Sequence, residues 1–111
     1  MRGDQQIKGV DYFETYAPVV QWSTVRMAMT LAANLGLKSK QVDYTNAFVQ
    51  ADLPPGEEVY ISLPKGYEDG SKVLKLSKLV YGLCQAPLNW FNKLSEGLGA
   101  MGLKPSRFDP C

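Results

Sequence analysis

Glu58-Val59-Tyr60-Ile61-Ser62-Leu63 alternates apolar with polar or amphipathic side chains, the period-two pattern of a half-buried strand. The turn Leu53-Pro54-Pro55-Gly56 precedes it and Pro64 ends it. After a loop over Lys65 to Ser71, Val73 to Ser77 reads as a second short strand, with Leu74 and Leu76 facing inward. Working outward, Ser23 to Leu35 reads as a helix. Ser23 or Thr24 caps it, Val25, Met29, Ala32 and Ala33 share one face, and Gly36 stops it. Lys38 to Tyr44 reads as a strand with Val42 and Tyr44 on one face and Asp43 on the other. Asn46 can cap a short helical turn carrying Ala47 and Phe48. Pro87 suits the first turn of a helix reaching about Met101, with Phe91, Leu94, Leu98 and Met101 as its apolar stripe. Helix, strand, strand pair, helix predicts an α+β fold with antiparallel strands flanked by helices.

The chain has 111 residues, 45% hydrophobic and 21% charged, with a net charge of +1, so it suits one domain or a piece of one and excludes disorder. The longest uncharged stretch lies between Lys78 and Lys93 and is broken by Gln85, Pro87 and Asn89, so no membrane span is expected. The N-terminus lacks the pattern of a secretory signal, which predicts an intracellular, cytoplasmic protein. Histidine is absent, which excludes a Ser-His-Asp triad, a Cys-His dyad or imidazole-bound zinc within the chain. Cys84 and Cys111 are expected as reduced thiols. Charge is uneven: residues 38–70 carry three lysines against six acids, and residues 71–111 carry six basic groups against two acids. An acidic middle beside a basic end could mean metal beside phosphate, but charge alone favours solvated surface on either side of a core.

Chemistry then rests on two segments. In Gln41-Val42-Asp43-Tyr44-Thr45-Asn46-Ala47-Phe48, an acid near a strand end can project into a cleft, and an aromatic five residues on can return to it. A carboxylate so placed is half of a site for a hard cation such as Mg²⁺. As a lone residue, an Asp near a strand end is more often a turn former or cap, and Phe48 more often plain core. In Leu79 to Trp90, a glycine, an amide and a proline lead into a helix N-terminus, where free N–H groups favour phosphate. The plain alternative is a loop and a proline-started helix. Glu57-Glu58 reads as a solvated pair, since strand neighbours point to opposite faces, and Glu68-Asp69 reads as solvated beside Gly70 in a loop.

Taken in order, Arg2-Gly3, Val10-Asp11-Tyr12, Glu14-Thr15, Ala17-Pro18-Val19, Gln41-Val42-Asp43, Ala47-Phe48, Val59-Tyr60, Leu63 to Tyr67 and Leu83 to Trp90 form a pattern. It resembles the reverse transcriptase domain of copia-type LTR retrotransposons, whose text runs close to "ARGFxQxxGxDYxETFAPV", "QxDVxxAFLxGxL", "VYMxxPxGF" and "LYGLKQAPRxW". The resemblance covers essentially the whole chain. It implies a partial right-hand polymerase palm with part of the fingers, over residues 1–111, truncated at both ends. The implied activity is RNA-directed DNA polymerisation by two-metal transfer from dNTP to a primer 3′-hydroxyl. Asp43 matches the first catalytic carboxylate and Mg²⁺ ligand, and the Tyr44 carbonyl would touch the nucleotide-side metal. Phe48 would stack under the incoming sugar and exclude a 2′-hydroxyl. The segment from Tyr81 to Pro87 would lie against template base and nucleotide, with Gln85 as its polar contact. The implied partners are an RNA or DNA template-primer, dNTP and the remainder of a Pol polyprotein, with no membrane.

Three departures from the pattern bear on activity. The Tyr-x-Asp-Asp hairpin is expected beyond Cys111, and no adjacent Asp-Asp pair occurs in the chain. The basic residues that grip the triphosphate are expected upstream of Arg2. Cys84 and Leu88 stand where the family is usually basic, and Asp4 where it is usually aromatic. The expectation is a polymerase fragment inactive alone. The alternative is a non-catalytic transposon remnant that only folds, or binds nucleic acid or a partner.

Overall fold

The computed structural model describes residues 2–67, 70 and 72–111. It contains helix α1, Trp22–Asn34, helix α2, Ala86–Ala100, and two strands, β1 at Tyr60–Ser62 and β2 at Val73–Lys75. Short 3₁₀ turns lie at Gly3–Gln5 and Ala47–Gln50. The strands pair antiparallel, with Ile61 opposite Leu74, so the fold is a small α+β arrangement.

Both helices end as their sequences predict. Gly36 takes φ 64°, its N–H donates to the Ala33 carbonyl and the Leu37 N–H donates to that of Ala32. Gly102 does the same for α2 at φ 84°, with its N–H on Gly99 and the Leu103 N–H on Leu98. These paired bonds satisfy carbonyls that the last turn leaves free, and the positive φ is where glycine has no Cβ penalty. The start of α1 differs from expectation. Its N-cap is Gln21 rather than Ser23 or Thr24, and Gln21 makes no side-chain cap bond. The cap comes instead from Asp109, near the other end of the chain.

The expected strand from Lys38 to Tyr44 does not form. Residues 37–44 are irregular and exposed. A strand is stable only as one side of a ladder, and no described segment pairs with this one. β1 keeps its alternation, with Val59 buried, Ile61 and Leu63 half-buried, and Tyr60 and Ser62 exposed. In β2 the inward placement holds only in part: Leu76 is half-buried, but Leu74 is 43% exposed because little covers that face of a two-stranded sheet. Asn46 sits before the second 3₁₀ turn at φ 52° and makes no side-chain cap bond. In α2, Phe91, Leu94 and Leu98 are half-buried while Met101 is exposed. The Glu68-Asp69 pair and Ser71 lie outside the described residues.

A small core forms where the turns meet. Ala51, Val59, Leu79, Leu83 and Ala86 are buried, with Phe48, Leu53, Ile61, Leu76 and Val80 packed around them. The Leu79 N–H donates to the Ala51 carbonyl and the Leu76 N–H to that of Val59, so backbone bonds knit the core together. The rest of the chain is open. The radius of gyration is 18.3 Å, against about 13 Å for a compact chain of this length. Surface tells the same story: 9068 Å² is accessible, where a compact 12.3 kDa protein exposes roughly 6,100 Å². Cys84 and Cys111 are both free thiols. No helix among the described residues is long and apolar enough to cross a membrane.

Candidate functional site

Asp43 is exposed, on the irregular segment that follows α1. The neighbouring Tyr44 is anchored: its ring meets Trp90 of α2 edge-on, with centroids 5.3 Å apart. Tyr44 and Trp90 then line a groove of about 250 Å³ with Leu94, Leu98 and Met101. Phe48 packs on the core and against the ring of Tyr81, centroids 4.8 Å apart. Tyr81 lines a larger cavity of about 840 Å³, together with Arg2 and Gln6 from the N-terminal segment and Tyr60 and Ser62 from β1. Asp43 and Phe48 line neither of these two spaces.

Gln85 is placed differently from a surface contact. It is 0% exposed, and its side-chain amide is fully engaged. Its Oε1 accepts from Gln6 Nε2 at 3.1 Å, and its Nε2 donates to Glu57 Oε2 at 3.0 Å and to the Asp11 carbonyl at 3.3 Å. Gln6 closes the ring by accepting the Cys84 N–H at 2.8 Å. Glu57 is therefore half-buried and bonded, which corrects its reading as a solvated acid. A loop residue next to a strand is not bound to the strand's strict alternation. Glu58 is exposed as expected, and Lys75 and the Tyr60 hydroxyl hold its carboxyl below the usual range.

The turn before α2 is built for close approach. Gly82 takes φ 94°, and the Leu83 and Ala86 N–H groups donate to the carbonyls of Val80 and Leu83. The 3₁₀ turn at Gly3–Gln5 presses against it: a Cβ on Gly3 would lie 1.9 Å from the Gly82 carbonyl oxygen. The Cys84 thiol donates to the Gly3 carbonyl. At the cavity mouth Arg2 pairs with Asp4 at 2.7 Å, both well exposed.

Among the described residues no group of three acids or cysteines is placed to hold a metal ion. Asp43 offers one carboxylate, and one carboxylate does not fit a hard divalent cation, which takes several oxygen ligands.

The decisive observation is the match along the whole chain. Residues 1–109 match the family model described as "Reverse transcriptase (RNA-dependent DNA polymerase)". The chain belongs to the reverse transcriptase family. The retrovirus-related Pol polyprotein from transposon TNT 1-94 of Nicotiana tabacum is 38% identical across 100% of this chain. That from transposon RE2 of Arabidopsis thaliana is 36% identical across 97%, and the transposon Ty1-H Gag-Pol polyprotein of Saccharomyces cerevisiae is 30% identical across 87%. This reverse transcriptase chain spans 8% of the length of each of the two plant relatives and 5% of the yeast one. No solved structure matches it.

One participant escaped the sequence reading. Gln6 carries no local signal of a role, although the retrotransposon reverse transcriptase pattern has a glutamine there. Its role shows only once residues 79 positions apart are seen bonded.

Proposed function

We propose that residues 1–111 are part of an RNA-directed DNA polymerase domain of a retrotransposon Pol polyprotein, contributing palm and part of the fingers. The observation that carries this reading is the family match running unbroken from residue 1 to 109. In the intact enzyme the partners are an RNA or DNA template-primer, dNTP and the remainder of the polyprotein, in the cytoplasm. Asp43 contributes one carboxylate to a Mg²⁺ set completed by other segments, consistent with its exposure. Tyr44 lies beside it, oriented by Trp90. Phe48 lies on the nucleotide side and selects against a 2′-hydroxyl. Gln85 serves the template and nucleotide side from beneath, by holding the Tyr81 to Pro87 turn.

Replacing the corresponding segment of the tobacco Pol polyprotein with this chain tests the reading. Template-dependent dNTP incorporation is expected, and Asp43→Ala abolishes it. Incorporation equal to the parent in Asp43→Ala overturns the assignment. The 111-residue chain by itself is expected to extend no primer, since a single carboxylate binds a divalent cation weakly. Extension above background that vanishes in Asp43→Ala shows otherwise.

A second reading, a remnant that folds or binds nucleic acid or a partner without catalysis, draws on Cys84 and Leu88. Each stands where the family is usually basic, and each missing cation weakens a phosphate contact. A chimera that binds template-primer yet incorporates nothing, with or without Asp43, favours this reading.

A further inference from the structure

The larger cavity has two walls from distant parts of the chain. Arg2, Gln5, Gln6 and Asp11 supply one; β1 with Val80 and Tyr81 supplies the other. What joins the N-terminal segment to the turn before α2 is a pair of interlocked side-chain amides. Gln6 uses both ends of its amide on consecutive residues, donating to the Gln85 side chain and accepting from the Cys84 backbone. Gln85 uses its own amide N–H groups on the Asp11 carbonyl and the Glu57 carboxylate, pulling in a third segment. Its backbone carbonyl accepts from both the backbone and the side chain of Asn89, which ties the knot to the first turn of α2.

No buried side-chain nitrogen or oxygen among the described residues lacks a partner, so the network is fully satisfied. A satisfied network around a buried amide rigidifies what it joins, and removing Gln6 leaves the buried Gln85 side chain with an unpaired oxygen. Gln85 has no exposed atom with which to compensate.

We infer that Gln6 is a positioning residue that acts through Gln85 and the Cys84 backbone to hold the Tyr81 to Pro87 turn against the N-terminal segment, with Glu57 closing the far side. The clamp sets the separation of the cavity walls and thereby the attitude of Tyr81. This rests on the polymerase reading for what the turn faces, and on the geometry alone for the clamp.

Cys84 is a built-in reporter, half-buried with its thiol on the Gly3 carbonyl. In a Cys111→Ser background, Cys84 is the one thiol of the full chain, and its labelling rate by a neutral alkylating reagent reads opening of the clamp. Gln6→Met, similar in length but without the amide, should raise that rate about tenfold. Gln6→Glu keeps an acceptor for the Cys84 N–H and should raise it less. Thr24→Ala, which loosens α1 at its contact with Asp109, should leave it unchanged. Equal labelling in Gln6→Met and its parent overturns the clamp, as does an equal rise in Thr24→Ala.

The second arm measures the affinity of the tobacco chimera for a template-primer duplex with a 5′ overhang. If the parent binds, Gln6→Met should weaken binding about tenfold while Thr24→Ala does not; unchanged affinity in Gln6→Met overturns the positioning role. Absence of binding by the parent counts against the polymerase reading instead, and the labelling rates then decide the clamp alone.

Discussion

Asp109 Oδ2 accepts the backbone N–H of Gln21 at 3.0 Å, joining positions 88 residues apart. The Thr24 hydroxyl, in the first turn of α1, acts on the same carboxylate and favours its charged form. An anion belongs at a helix N-terminus, where backbone N–H groups are free and the dipole is positive. A residue from the far end of the chain thus does the work that Ser23 or Thr24 would do locally. Asp109 is 4% exposed, and its Oδ1 also accepts from the Cys111 N–H.

This contact makes stability depend on pH. The Thr24 hydrogen bond, then the Gln21 N–H, hold the Asp109 carboxyl below its ordinary value of 3.8. A group lowered in the folded state adds stability above its unfolded value and loses it as pH falls through the folded one. Asp109→Asn, which cannot titrate, should therefore show a shallower loss of unfolding midpoint below about pH 4 than the parent. Equal acid slopes in denaturant titrations of the two proteins would remove the contact from the account.

Two glycines should respond in opposite directions to alanine. Gly3 has no room, since its Cβ would meet the Gly82 carbonyl at 1.9 Å, and overpacking of this kind costs about 1–3 kcal/mol. Gly97 lies inside α2 with nothing within 4 Å of its Cβ position. Alanine there should stabilise by roughly 0.5–1 kcal/mol through helix propensity. Denaturant midpoints for both variants against the parent check the pair.

Phe48→Ala should destabilise the chain because Phe48 packs on the core and on Tyr81. A half-buried ring loses less than the ~3–5 kcal/mol of a fully buried one, so about 2 kcal/mol is expected. In the chimeric polymerase the same variant should incorporate ribonucleotides more readily than the parent. Stability loss without that change would leave Phe48 a packing residue only.

The free chain should self-associate. It exposes roughly 3,000 Å² more than a compact protein of its mass, and that surface includes Trp22, Met27, Met29 and Leu31 on α1. Arg26 is the only charge in that helix, none of its residues is buried, and a net charge of +1 opposes association weakly. The exposed edges of the two-stranded sheet add a template for pairing. Sedimentation velocity should show species larger than monomer at micromolar concentration, and urea titration a broad transition. A monomer with a sharp cooperative transition would show that the small core suffices.

What the sequence determined by itself is whatever depends on near neighbours. Gly36 and Gly102 stop their helices, Pro87 opens α2, and Val59 to Leu63 alternate, because caps, fixed φ and side-chain period act within a few residues. The order of short motifs likewise carried the reverse transcriptase family. Tertiary structure alone decided the rest. Lys38 to Tyr44 has the pattern of a strand and finds no partner among the described residues, so Asp43 stands on an irregular segment. Glu57 is drawn inward by Gln85, Gln6 meets Gln85, and Asp109 caps α1, each through a partner between 28 and 88 residues away. A hydrogen bond depends on where its partner lies in space. For those residues, chain folding sets that position, and no local period announces it.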